Sequence, residues 1–286
     1  LERDGRVFRH PPFPLGLFMS NNQTSALSPE TLPRSSVRLA ELALALGGFG
    51  IGTGEFAIMA LLPDIARDLH VTIPSAGHLI SSYALGVLIG APVLAVFGAR
   101  LDRRKLVFLF MALFAFGNLA SAFMQNYDGL ILMRFVAGFP HGAYFGVASL
   151  VAASMAEPGK RAQAVGRVMT GLTVATLVGT PLPTWLGQIA GWRAMFAAVG
   201  FIAILTMVLI SVFVPKQPAE EGASPLRELG ALRRKQVLLT LAIGAVGTGG
   251  LFSVFSYVAA TITEVSHVDM KWMPIVFAMF GRRQAG

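Results

Sequence analysis

Three residues in this sequence carry chemistry where water is scarce. Glu55 is the only ionisable residue in the apolar run Leu42–Leu62. Arg134 stands near the start of a second apolar run, Leu130–Ser154, and His141 follows it by seven residues, on nearly the same face of a helix. A carboxylate inside a run of lipid-spanning length costs a few kcal/mol to insert, so it must face a cavity or a partner charge. As helices, the two runs put Glu55 about 12 Å from the end of its run near Pro63 and Arg134 about 7.5 Å from its own start at Gly129. Their depths then agree to within roughly 5 Å. Such a pair, direct or through water, suits a polarised site where a proton and a substrate compete for the carboxylate. The plainer reading is a structural ion pair, or a carboxyl kept protonated. An imidazole titrates near neutral pH, so His141 reads either as a proton relay or as a hydrogen-bonded packing residue.

These groups need elements to hold them. Gly138, Gly142 and Gly146 recur every four residues after Arg134 and predict a small-residue face for close helix packing. A later run holds Gly166, Gly171, Gly179, Pro181, Pro183 and Gly187; helix breakers at this density predict a bent span, either an ordinary kinked packing helix or a gate. Between runs, Gly98, Arg100, Asp102, Arg103, Arg104 and Lys105 form a tight basic turn, with Asp102 placed to receive an arginine or to cap a helix N-terminus.

Composition says what surrounds them. Of 286 residues, 54% are hydrophobic and 13% charged, about half the charged share of a soluble chain. The apolar residues fall into seven long blocks, near 42–62, 77–98, 106–124, 130–154, 168–186, 194–214 and 237–260. Each approaches the length that crosses a bilayer. An eighth begins at Met273 and meets Arg282 and Arg283, and its apolar part, about 12 Å long as a helix, is too short to span. The expected fold is all-α: a polytopic membrane protein with a six-helix N-terminal bundle plus the first one to two helices of a second bundle.

Lysines and arginines between blocks divide seventeen to three between the two sides, which places the N-terminus in the cytoplasm. The expected organisation is a disordered, proline-rich cytoplasmic tail over 1–40, a bundle over 41–214, a polar cytoplasmic linker over 215–236 and the start of a second bundle over 237–286. Residues 1–18, upstream of Met19, read as lying outside the natural start. Gly52-Thr53-Gly54-Glu55 reappears as Gly247-Thr248-Gly249-Gly250, and His70 and His267 follow at similar distances, as expected of a duplicated plan.

Other chemistries are excluded. The net charge of +8 is spread between apolar blocks with no basic helix, which argues against nucleic acid. There are no cysteines, and His70, His78, His141 and His267 are scattered, so no metal or cofactor is expected. No nucleophile elbow, phosphate loop or dinucleotide fingerprint occurs, and Glu55, Arg134 and His141 make no recognisable hydrolase set; an enzyme is the last-ranked reading.

Together these stretches resemble the major facilitator superfamily, in its drug–proton antiporter branch. GTGEFAIMALLPDIARDLHV at 52–71 resembles the first-helix signature of bacterial arabinose and chloramphenicol efflux permeases. LILMRFVAGFPHGAYFGVAS at 130–149 resembles the fourth-helix motif, whose arginine is Arg134. GLTVATLVGTPLPTWLG at 171–187 resembles the antiporter motif, with Gly179 and Pro181 in its Gly-x-Pro core and Pro183 where a glycine is usual. In the loop motif Gly98, Asp102 and Arg103 fit, while Lys105 replaces a glycine. The resemblance implies a secondary transporter of the bacterial inner membrane that exports small molecules, of drug or sugar class, against proton entry by alternating access of two six-helix halves. Its partners would be the substrate, protons and the lipid bilayer. Import is the alternative direction, and a non-transporting membrane remnant or interaction protein the alternative class. Because the sequence stops inside the eighth block, the expectation is that this chain alone does not transport.

Overall fold

The computed structural model describes residues 33–98, 100–217, 230 and 234–285. Most of the expected tail and linker lies outside them. The described residues fold into helices: α1 (Arg34–Ala60), α2 (Leu62–Asp68), α3 (Ile73–Gly98), α4 (Arg103–Phe123), α5 (Tyr127–Gly138), α6 (His141–Met155), α7 (Arg161–Val174), α8 (Pro181–Ala190), α9 (Trp192–Phe213), α10 (Lys235–Phe255), α11 (Val258–Glu264) and α12 (Met273–Ala285). Six continuous helical stretches are long and apolar enough to cross a membrane, α5 with α6 and α10 with α11 each counting as one, and α7 with α8 gives a seventh if taken as one bent span. These are the seven apolar blocks.

Local chemistry sets the ends. Pro33 precedes α1, which therefore starts at Arg34, earlier than the boundary expected at residue 41. Counting apolar residues missed about the first two turns, because polar residues there are helical too and Glu41 finds a partner across the bundle. Asp102 caps α4 by accepting the Lys105 backbone N–H at 3.1 Å, and Asn126 caps α5 by accepting that of Gly129 at 2.7 Å. Gly191, with φ of 87°, takes the left-handed turn between α8 and α9 that a side chain would resist.

The fifth span is bent by 44°, as its glycines and prolines predicted. One π turn, Ala175–Gly179, joins α7 to α8; the Thr180 N–H reaches back five residues to the Ala175 carbonyl at 2.7 Å. Pro181 has no N–H to continue the ladder, so the bend falls there.

Packing is tightest where small residues face a neighbouring backbone. A Cβ at Gly86 or Gly90 of α3 would strike the carbonyls of Phe135 and Phe139, and one at Gly138 would strike that of Tyr83. The second and fourth spans thus touch backbone to backbone. Gly142 continues the seam against Ala91, but Gly146 faces open space. The three-glycine face expected after Arg134 is therefore two glycines long.

The internal echo is visible in the backbone. His70 follows α2 with φ of 53°, and His267 follows α11 with φ of 52°. Val71 N–H closes onto the Ala66 carbonyl, and Val268 N–H onto that of Ile262. The two corners share a histidine in the left-handed region, which histidine enters more readily than most residues, but the first closes over five residues and the second over six.

Candidate functional site

Arg134 is the largest fully buried side chain among the described residues. Its Nη2 donates to the Gly54 carbonyl of α1 at 3.2 Å. Its guanidinium lies over the Tyr83 ring, 4.3 Å from the centroid, with the Phe196 ring centroid at 5.5 Å. Nε and Nη1 have no hydrogen-bond partner. An unpaired buried donor costs about 1–3 kcal/mol. Thr53 Oγ1 on α1 and Asn118 Oδ1 on α4 are likewise buried and unpartnered, and Asn118 Oδ1 comes close to Gly54.

Glu55 is half-buried, one residue along from the carbonyl that Arg134 grips. The two charges make no ion pair within 4.0 Å; they interact through their fields. The direct form of the expected pair is thus absent, because the guanidinium turns its Nη2 to the backbone and its face to Tyr83. His141 is half-buried at the start of α6, with Nδ1 3.0 Å from the Tyr83 hydroxyl. Its ring also packs at 5.4 Å from that of Phe145.

Tyr83 was missed by the sequence reading, and so were Thr53 and Asn118. An aromatic in an apolar helix carries no signal of its own. The spacing of Gly86 and Gly90 did offer a clue that α3 meets the fourth span there.

Of the remaining predicted residues, Gly179 lies beside this centre, while Gly98, Asp102 and Arg103 lie at the turn between α3 and α4. A Cβ at Gly179 would collide with Thr53 Oγ1 and the Phe49 ring, so the π turn presses on α1 beside the site. Pro181 follows at the bend. Gly98 lies under Leu106. Asp102 does more than cap α4: its Oδ2 accepts the Gln217 N–H at 3.0 Å, while the Arg103 N–H donates to the Gln217 carbonyl at 3.1 Å. Arg104 donates to the Ser211 carbonyl. The basic turn is thereby fastened to the end of the sixth span. At the same end Glu41, buried, receives Arg167 in two bonds of 2.8 and 3.0 Å, a bidentate pair joining α1 to α7.

The opposite end is held differently. Asp68 accepts from Arg193 at 2.6 Å and from Trp192 Nε1 at 3.0 Å. These bonds, Arg193 first, hold its carboxyl below the usual carboxylate range. Phe56, next to Glu55, packs on Phe252 and Phe255 of α10 at centroid distances of 5.9 and 6.0 Å. Residues 238–251 of α10 are exposed along their length. Among the described residues no group of three or more His, Asp or Glu side chains is placed to hold a metal.

The sequence profile described as "Major Facilitator Superfamily" matches residues 44–282. The chain belongs to that superfamily. It is 40% identical over 240 residues to "Inner membrane transport protein YdhP" of Escherichia coli K12, covering 84% of this chain and 62% of that protein. It is 32% identical over 242 residues to "Chloramphenicol resistance protein" of Streptomyces lividans, covering 83% and 62%. Its fold is similar to a bacterial homologue of the human lysosomal transporter Spinster, solved inward-facing and unoccupied, with a TM-score of 0.68 at 19% identity over 88% of this chain and 60% of that one. The chain thus spans about three fifths of the length of these relatives. The relatives it matches are named as transporters or resistance proteins, and its helical fold is that of the superfamily.

Proposed function

We propose that this major facilitator chain supplies the first half, and the opening of the second, of a proton-coupled exporter of small molecules. Glu55 carries the proton and yields it to cargo. Arg134 sets the field at that carboxylate, and His141 is the third polar group of the site. The observation that carries this reading is the buried cation with two unpartnered donors beside a half-buried acid, inside helices of membrane-crossing length. Similarity to a protein named for chloramphenicol resistance favours export. The bend at Gly179 and Pro181 is the gating element, and the turn containing Gly98, Asp102 and Arg103 braces the other end.

The basic end faces the cytoplasm by the distribution of its charges, in a bacterial inner membrane as the YdhP name suggests. The packing of Phe56 on α10 then closes the external side, while the exposed stretch of α10 lies toward the cytoplasm. In such transporters cargo binds near the midplane between two halves. Since this chain covers 62% of its relative's length, it is expected to give no gradient-driven transport alone in liposomes.

The test is a chimera in which residues 44–282 replace the matching part of YdhP, assayed for efflux driven by an imposed pH gradient in everted vesicles. Glu55→Gln is expected to abolish the response to the gradient, and Glu55→Asp to keep part of it. An unchanged gradient response in Glu55→Gln would remove the proton-carrying role.

A further inference from the structure

Three residues of the fourth span, Arg134, Gly138 and His141, meet a single residue of the second. The backbone of Tyr83 lies against Gly138, so closely that a Cβ there would strike its carbonyl oxygen. The face of its ring carries the Arg134 guanidinium. Its hydroxyl is 3.0 Å from His141 Nδ1, and the two rings meet edge to face at 5.8 Å. Tyr83 is itself only 2% exposed. The spacing of four and then three residues in the fourth span is the footprint of this one side chain.

From this geometry we infer that Tyr83 is a positioning residue: it holds His141 by Nδ1 and leaves Nε2 as the nitrogen presented to the transport pathway. The inference rests on the reading of Glu55, Arg134 and His141 as the working site. A phenol has one O–H to donate and lone pairs to accept. Of the charged and titratable groups around Tyr83, Arg134 lies over its ring and His141 at its hydroxyl, while Glu55 acts on it through its charge. Arg134 occupies the ring face, and in this reading the phenol oxygen is the acceptor of its contact with His141 Nδ1. The oxygen lone pairs are then left for an N–H at His141 Nδ1. A neutral imidazole carries one hydrogen, and the bond made by one nitrogen decides the state of the other. With Nδ1–H donated to Tyr83, Nε2 is bare. It accepts one proton from the pathway to give the imidazolium, or one hydrogen bond from a cargo hydroxyl or amine, and the Tyr83 bond is intact before and after. Returning the proton from Nε2 restores the starting state.

The experiment is 15N NMR of the whole chain with its histidine rings labelled, with the His141 signals assigned by their loss in His141→Gln. The unsubstituted chain at a pH where His141 is neutral is expected to show a protonated Nδ1 and a bare Nε2. In Tyr83→Phe that pattern should be lost, leaving Nε2–H or a mixture of tautomers, while helical content is unchanged. If Tyr83→Phe fails to fold, 3,5-difluorotyrosine at position 83 keeps the ring and weakens the acceptor, and the Nδ1 resonance should shift. A protonated Nε2 in the unsubstituted chain, or a His141 pattern indifferent to both changes at Tyr83, would overturn the inference. The measurement needs no transport, so failure of the coupled-exporter reading would show separately, in the Glu55→Gln assay.

Discussion

The seam between the second and fourth spans yields a graded prediction. At Gly138 the atoms that would block a methyl group are the carbonyl oxygen, carbonyl carbon and Cα of Tyr83. Backbone cannot rotate aside as a side chain can, so α3 and α5 must separate along their contact. Overpacking in a well-packed interior costs about 1–3 kcal/mol, and a purely backbone clash puts Gly138→Ala near the upper end. At Gly142 the nearest atoms are the Ala91 Cβ at 2.9 Å and Val87 Cγ1 at 3.7 Å. A shift of a few tenths of an ångström relieves that, so Gly142→Ala should cost about 1 kcal/mol. Gly146 has nothing within 4 Å, and alanine there gains up to about 1 kcal/mol of helix propensity. Thermal unfolding of the three variants in one detergent, followed by loss of the monodisperse peak, should rank them in that order, with Gly146→Ala no worse than the unsubstituted chain. Equal melting of all three, or Gly146→Ala as the most damaging, would refute the reasoning.

Two further outcomes are expected. Asp102→Ala removes the α4 cap and the bond to the Gln217 N–H; a cap alone is worth about 1 kcal/mol. Hydrogen exchange should rise at the amides of Lys105 and Gln217 together, and Asp102→Asn, which keeps an acceptor, should fall between. Asp68 gives a pH signature: a carboxyl lowered in the folded chain contributes its stability fully above the ordinary value, about 3.9, and loses it as pH falls through the folded value. Melting temperatures should therefore drop more steeply below about pH 4 in the unsubstituted chain than in Asp68→Asn; parallel curves would show that Arg193 and Trp192 do not act through this carboxylate.

The spans were legible because a bilayer imposes a length on every apolar block, and no soluble fold copies that pattern seven times. Glu55 and Arg134 were legible as charges out of place, and the cap at Asp102 as an acidic residue next to a helix start. Other features left no trace in composition. Tyr83 is one aromatic among many in apolar helices, and only the crossing of α3 and α5 shows what it touches. Gly146 matched its two predecessors in spacing, yet what a glycine faces depends on how the helices cross, which spacing does not encode. The start at Arg34 was hidden because Glu41 counts as polar until Arg167, over a hundred residues away, is found beside it. The π turn required knowing which carbonyl Thr180 selects.

That π turn has a mechanical consequence. A helix with one surplus residue in a single turn stores slack that a regular helix lacks. Letting the surplus residue slip out of Ala175–Gly179 would swing the segment beyond it through about 100° and slide it by about 1.5 Å. The helix it would slide past is α1, where Gly179 already presses on Thr53 and Phe49.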